Sequence, residues 1–451
     1  MKPNNTSIFQ KLFLKSTGLF LTAFGMISLV YPSSGFGIEQ TLLRSKPPFT
    51  GDAKPSLLED LISEALSNSP VIHAARARFE ASTELIEPSS ALPDPELEFS
   101  LEENLRSVSS PDFVKSELRL NQGFPYPGKR GIKGKIAKAE SDASYAAFID
   151  TQRQVIKEIR TFFAQLYAID SEKEVLEIAR ELMKLLEATA AARYVSGQGD
   201  QEAQIKAQLE TSRILERIGD ITSERKGVVA QLNRIMGHTQ TAPIGQVTTL
   251  ADVEFHQDVL EQADRTALSN TPSLHAGIAE VEAAEYRLEL AKLDFRPDFF
   301  AGFGIALNAE NESEAALSFG MTLPLWQKTK QKPLYRAAAA KLDESRKNLK
   351  ALEYTIQADI FRLIAQWIRD KEQIRRYRDA ILPQTSAALD SARASYLSGR
   401  ASFSTVIEDY NLWLDARTRL ARRESDRFIT WTDLTALLEP YPMRTKKEET
   451  P

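Results

Sequence analysis

Cysteine is absent from the 451 residues, and only four histidines are present. Without thiols the chain cannot build a disulfide scaffold, a zinc finger, an iron–sulfur site or a thiol nucleophile. Nor can it carry a lipid on an N-terminal cysteine. Glycine and proline are scarce, with 20 and 21 residues, below ordinary usage. Few turn-formers imply a small number of long elements. Mean hydropathy is −0.31, and no apolar run of about 18 residues or more reads as a mature transmembrane helix. Basic charge is not in excess either: 57 Lys and Arg against 62 Asp and Glu leave a net charge of −5. That balance argues against a nucleic-acid partner. The signatures HExxH, GxSxG and GxxxxGK(S/T) are all missing. The sequence therefore points to no enzyme, no cofactor and no resident metal.

What is present starts with an export signal. Lys2, Lys11 and Lys15 precede or flank the apolar stretch Gly18 to Tyr31, and Gly35-Phe36-Gly37 offers a small-x-small cleavage site. Residues 1–37 are expected to be a cleaved secretory signal. Residues 38–56, polar and carrying Pro47, Pro48 and Pro55, are expected to form an extended arm. Export without cysteine fits a Gram-negative envelope protein.

The strongest signal is internal duplication. Residues 65–81 (ALSNSPVIHAARARFEA) and 267–283 (ALSNTPSLHAGIAEVEA) share ten of 17 positions at an offset of 202. Phe124-Pro125 and Lys129 correspond to Leu323-Pro324 and Lys328 at an offset of 199. Ile159 and Ala164-Gln165 correspond to Ile360 and Ala365-Gln366 at 201, and Tyr194-Val195-Ser196-Gly197 to Tyr396-Leu397-Ser398-Gly399 at 202. Matches in one order at nearly one offset are hard to reconcile with chance. The expected division is a first repeat over 57–255, a second over 256–438, and a polar tail over 439–451.

Each repeat follows one plan. Helices over 57–91 and 256–294 are interrupted at Ser69-Pro70 and Thr271-Pro272, where Pro suits the first helical position and Ser or Thr the N-cap. Pro93-Asp94 and Pro297-Asp298 end them. Strands follow over 96–102 and 113–122, and over 299–307 and 315–323, marked by period-two alternation. After a Pro elbow comes a long helix. In the first repeat it is expected over 133–194, with Phe148, Val155, Phe162, Ile169, Leu176, Met183 and Ala190 at a spacing of seven. Ile360, Trp367, Ile374, Ile381 and Ala388 repeat that spacing in the second. Sustained heptads indicate coiled-coil packing. Gly197 and Gly399 stop the long helices, and return helices are expected over 201–236 and 402–438.

Four strands per chain cannot close a barrel in lipid, because the smallest such barrels have about eight. Three chains would supply twelve. The lipid-facing set is then Leu97, Phe99, Leu101, Val114, Leu118, Leu120, Phe299, Ala301, Phe303 and Ile305. The same alternation also suits a small soluble β-subdomain packed on the helices.

The duplicated plan, together with ALPDPELEF, FPYPGKRG and the YxSG tips, resembles the outer membrane factor (TolC-like) family. FPYPGKRG is most similar to its heavy-metal efflux, CzcC/CusC-like branch. The resemblance spans about 57 to 438. It implies a mainly α fold with a small β part: long coiled-coil hairpins and four strands per chain, assembling as a trimeric 12-stranded β-barrel on an α-helical barrel. It further implies an exit duct of a tripartite efflux system. The partners would be two further copies in a homotrimer, a periplasmic adaptor (membrane fusion protein), an inner-membrane pump and outer-membrane lipid. Heavy-metal cations are the cargo the branch suggests. Carried over, the adaptor-docking tips are Tyr194, Val195, Ser196 and Gly197 with Tyr396, Leu397, Ser398, Gly399 and Arg400. The candidate pore gate is Thr405, Glu408 and Asp409, and Thr405 stands where the family often has an acid. The alternative from the sequence is a soluble periplasmic coiled-coil scaffold or adaptor.

Two clusters stay ambiguous in sequence. Gly128 to Lys135 (GKRGIKGK), with Lys138, is a basic patch at a helix start that suits either an anion or a solvated elbow. His73 and His275 are repeat equivalents that suit capping better than metal binding.

Overall fold

The computed structural model describes residues 57–104, 112–308 and 313–442. The expected signal, the arm and most of the tail lie outside them. Each repeat opens with short helices: α1 (Leu57–Asn68), α2 (Pro70–Glu84) and α3 (Ile86–Ser90) in the first, α6 (Gln257–Glu261), α7 (Ala263–Asn270) and α8 (Pro272–Leu293) in the second. Pro70 and Pro272 do begin helices after extended Ser69 and Thr271. The capping hydroxyl bond is missing at both. The Thr271 hydroxyl instead donates back to the Ala267 carbonyl at 2.7 Å.

The strands are β1 (Glu96–Asn104) and β2 (Asp112–Phe124), then β3 (Asp298–Asn308) and β4 (Ser313–Thr322). They form one antiparallel meander in the order β1-β2-β3-β4, so β2 and β3 join the two repeats. Leu97 pairs with Leu120, Leu120 with Phe303, and Phe303 with Leu317, making one apolar row across all four strands. Leu97, Phe99, Leu101, Leu118, Leu120, Phe299, Phe303 and Ile305 are all exposed on that face. Ala301 is half-buried, and the Val114 side chain lies outside the described set. The opposite face of β3 carries Gly302, Gly304 and Ala306. A Cβ on Gly302 would stand 2.4 Å from Asn121 Oδ1 and 2.5 Å from Ser318 Oγ. Small residues there let neighbouring polar side chains close over the strand. The elbow after β2 is tied to β3: Asp298 accepts from the Tyr126 amide at 2.7 Å and pairs with Lys129 Nζ at 3.0 Å.

Helix α4 runs Lys129–Val195, 67 residues and about 100 Å. Phe148, Val155, Ile169, Leu176, Met183 and Ala190 are buried, as their spacing implies, while Phe162 is half-buried beside buried Phe163. Helix α5 (Gln201–Met236) returns along it. In the second repeat the long helix has three parts: α9 (Gln331–Arg376), a π turn (Tyr377–Ile381) and α10 (Leu382–Leu397); α11 (Phe403–Leu438) then returns.

The π turn corrects the heptad reading. Ile360, Trp367 and Ile374 are buried, but Ile381 and Ala388 are only half-buried, and Leu389, Ala392 and Tyr396 take the core positions. A π turn absorbs one extra residue, so the buried stripe slips by one. The same residue accounts for the change in repeat offset from 201 before the turn to 202 after it. The Leu382 amide bonds to the Tyr377 carbonyl, an i→i−5 contact. Pro383, next in line, has no amide to give and would collide with an α-helical carbonyl four residues back.

The connector 238–256 between repeats is held by another equivalent pair. Arg225 Nε meets Asp170 at 2.6 Å while Nη2 reaches the Gly245 carbonyl at 2.8 Å, and Asp170 also accepts the Val247 amide at 2.9 Å. Arg427, 202 residues on, donates to the Val253 carbonyl and to Glu254 at 2.8 Å, and lies over the Trp367 ring. Higher on the hairpins, buried Glu172 joins three helices by accepting from Arg217 at 2.8 Å and from Arg422 at 2.7 Å. Hydrogen bonds to a charged group contribute about 1.5–3 kcal/mol each.

Deleting Asp379 together with Pro383→Ala should convert the π turn to α-helix without moving Leu389, Ala392 or Tyr396 out of the core. Thermal unfolding in detergent should shift by less than about 4 °C, the equivalent of about 1 kcal/mol or less. A much larger loss would show that the turn is not a one-residue insertion.

Candidate functional site

The two helix-to-helix tips lie side by side at one end of the hairpins. Helix α4 ends in a left-handed Gly197 (φ +70) and α10 in Gly399 (φ +74). The Gly197 amide bonds to Tyr194 O and the Gln198 amide to Arg193 O at 2.8 Å; Gly399 and Arg400 repeat this with Tyr396 O and Ser395 O. This closing pattern uses up the last carbonyls, and its positive φ is strained for any residue with a Cβ. Ser402 caps α11, its hydroxyl accepting the Thr405 amide at 3.3 Å.

Arg193 clamps one tip to the other. Its guanidinium donates to the carbonyls of Tyr396 and Leu397 across the gap and to Gln198 O in its own tip at 2.9 Å. The same group lies 4.9 Å from the centre of the Tyr396 ring, which packs edge-on against Phe403. Burial pushes the Tyr396 phenol above its usual range; Arg193 partly offsets this and Asp200 adds to it. The position equivalent to Arg193 is Ser395. Sequence reading missed Arg193, and that loss of symmetry beside matched tips was the available signal.

The clamp separates the carried-over tip residues into two groups. Tyr396 is 5% exposed and belongs to the core, whereas its equivalent Tyr194 is 46% exposed. Val195, at 86%, and Leu397, at 63%, project apolar surface from the tips. Ser196, Gly197, Ser398, Gly399 and Arg400 are exposed around them. Thr405 and Glu408 are exposed on one face of the first turns of α11, and Asp409 is half-buried beside them. Neither carboxylate is paired among the described residues.

The ambiguous clusters resolve into structural roles. His73 and His275 each place Nε2 within 2.9 Å of a carbonyl at the end of the preceding helix, Ser67 O and Ser269 O. Lys129 in the basic elbow is buried between Asp294 and Asp298, and Arg130 donates to Ser90 O. Among the described residues, no group of three or more His, Asp or Glu converges as a metal site would require. No described helix is long and apolar enough to cross a membrane, which leaves the exposed strand face as the apolar surface to be accounted for.

By sequence, residues 265–439 match the family model described as "Outer membrane efflux protein". No curated protein matches the chain by sequence. The fold is similar to the outer membrane protein VceC from Vibrio cholerae, with 18% identity and TM-score 0.75, covering 85% of this chain and 97% of that one. It is also similar to CusC, at 16% identity and TM-score 0.74 over 85% and 92%, and to the CmeC outer membrane channel of Campylobacter jejuni, at 14% and 0.70 over 84% and 85%. The sequence match spans the second of the two repeats, and the structural likeness extends over both.

Arg193→Ala should loosen the tips without unfolding the hairpins. Amide exchange over 196–200 and 397–402 is expected to quicken about 10- to 100-fold, the equivalent of about 1.4–2.7 kcal/mol of local stability. Unchanged exchange would remove the clamp from the account.

Proposed function

We propose that this chain is an outer membrane efflux protein, the passive exit duct of a tripartite export machine. Three copies close a barrel in the outer membrane, and their helical hairpins extend the conduit into the periplasm. The observation that carries this reading is the four-stranded sheet. It has one continuous apolar face, β1 and β4 are edges without a second partner among the described residues, and it is fused to helices about 100 Å long. A sheet of this kind is unstable in lipid unless its edges are paired. A soluble scaffold has no use for the exposed row of Leu and Phe.

Transport is driven elsewhere, since the chain offers no nucleotide-binding motif. The exposed tips, with Val195 and Leu397 projecting, are the surface offered to a periplasmic adaptor, through which an inner-membrane pump delivers cargo. Thr405, Glu408 and Asp409 form the pore constriction just inside the tips. Three copies of Glu408 around an axis favour cations there. Heavy-metal cations are the cargo suggested by the elbow Phe124 to Gly131, through its resemblance to the heavy-metal branch.

The purified protein should form ion-conducting pores in planar bilayers and should fractionate with the outer membrane. Recovery as a soluble periplasmic protein without conductance would contradict the duct reading. Glu408→Gln should lower the cation-to-anion permeability ratio about two- to threefold, by removing one ring of charge; an unchanged ratio rules out this ring as the gate. Gly197→Glu or Gly399→Glu should abolish co-purification with the adaptor, while Gly197→Asn, which tolerates positive φ, should retain it. Equal binding by both variants would remove the tips from the interface.

A further inference from the structure

Positive charge gathers at the two elbows of a chain whose net charge is −5. From Phe124 to Ala139 the sequence carries Lys129, Arg130, Lys133, Lys135 and Lys138, and no acid. From Leu323 to Leu342 it carries Lys328, Lys330, Lys332, Arg336 and Lys341, again with no acid. Lys129 and Lys133 correspond to Lys328 and Lys332 at an offset of 199. Both repeats therefore place the charge at the same point, where a strand passes into its long helix. We infer that the elbows form a collar that binds the phosphate headgroups of anionic phospholipids in the periplasmic leaflet of the outer membrane. The inference rests on the duct reading, which sets the strands in lipid and the helices in the periplasm, and adds the class of lipid.

Part of this charge is spent inside the fold. Lys129 is held by Asp294 and Asp298, Arg130 donates to the Ser90 carbonyl, and Lys135 lies over the Tyr286 ring. The rest is open to a partner. Lys133, Lys328, Lys330, Lys332 and Arg336 are exposed and have no ion-pair partner among the described residues. The pattern changes further along α9. There Lys341 pairs with Glu344 at 2.8 Å, Lys347 with Asp343 at 2.6 Å and Lys350 with Glu353 at 2.6 Å. A charged helix face in water ordinarily mixes its signs in this way. The elbows do not.

Apolar neighbours fix the level of the collar. Leu317, Phe319, Met321 and Leu323 carry the exposed face of β4 down to the elbow, and Leu325 and Trp326 follow at 73% and 74% exposure. Trp gathers where hydrocarbon gives way to headgroups. The lysines directly after Trp326 then fall beside the lipid phosphates, within the Debye length of about 8 Å at physiological salt, where each cation is attracted by anionic lipid. The far ends of the same strands carry the acids Glu102, Glu103, Asp112 and Glu314. The collar is thus confined to the end of the sheet that adjoins the helices. An anionic headgroup suits it better than a zwitterionic one, whose phosphate is offset by its own ammonium.

Lipid retention tests this directly. The full chain, purified in mild detergent and stripped of lipid, is incubated with equal amounts of phosphatidylglycerol and phosphatidylcholine bearing identical acyl chains. Retained lipid is measured by mass spectrometry. Phosphatidylglycerol should be retained at least about fivefold over phosphatidylcholine. Combining Lys133→Gln, Lys330→Gln, Lys332→Gln and Arg336→Gln should bring the ratio below about twofold. Combining Lys341→Gln, Lys347→Gln and Lys350→Gln, on the same helix beyond the elbow, should leave it unchanged. Circular dichroism checks that both variants keep their helices. A ratio near one for the unaltered protein, an undiminished ratio in the elbow variant, or an equal loss in both variants overturns the collar and leaves the duct standing. Displacement of phosphatidylglycerol by an equal concentration of inorganic phosphate marks a site for free anions and overturns the lipid assignment. A protein that neither conducts nor fractionates with the outer membrane overturns the duct reading and the collar with it.

Discussion

The backbone hydrogen-bonding groups along β1 and β4 set the terms for the whole molecule. In water an open edge is tolerable, but in hydrocarbon each unsatisfied amide or carbonyl costs several kcal/mol. The described residues make four strands, and β1 and β4 have no second partner among them. The sheet can therefore enter a membrane only as part of a closed ring of copies. The alternation of β1 to β4, the small residues on one face of β3 and the exposed apolar row on the other all suit the proposed ring.

Duplication makes the requirement easy to meet. In the proposed ring, the pairing of β2 with β3 between the two repeats is the model for the pairing of one chain with the next. Asp298 on the Lys129 elbow, Arg225 and Arg427 on the connector, and Glu172 between Arg217 and Arg422 hold the two repeats in that relation. Where the repeats differ, the chain specialises. The π turn interrupts one long helix, while the other is unbroken. Arg193 occupies a position that is Ser395 in the second repeat, and turns two separate tips into one clamped unit. Tyr194 and Tyr396, equivalent positions in the two repeats, end as a surface residue and a core residue for that reason.

Much of this was legible in the residues. Period-two alternation located all four strands, and the faces assigned to Leu97, Phe99, Leu118 and Phe303 agree with their exposure. Gly197 and Gly399 marked the helix ends because only glycine adopts the left-handed turn without strain. The spacing of seven named the core of α4 from Phe148 to Ala190, apart from Phe162. It failed at Ile381 and Ala388, because a heptad count assumes an unbroken helix and Pro383 forces one extra residue into the turn. The change of offset from 201 to 202 already recorded that residue. Side-chain roles that depend on distant partners were not legible. Nothing local to Arg193 announces the Tyr396 carbonyl some 200 positions on, and nothing local to Ser69 or Thr271 shows that their hydroxyls do not cap.

The central claim is that this chain is complete only as a ring of copies around a shared barrel. Native mass spectrometry of the protein extracted from outer membranes in mild detergent measures this most directly. The account predicts a single assembly of three chains that persists on dilution. A stable monomer, or an assembly of two or four chains, would contradict it, because the proposed barrel is closed by the twelve strands of three chains.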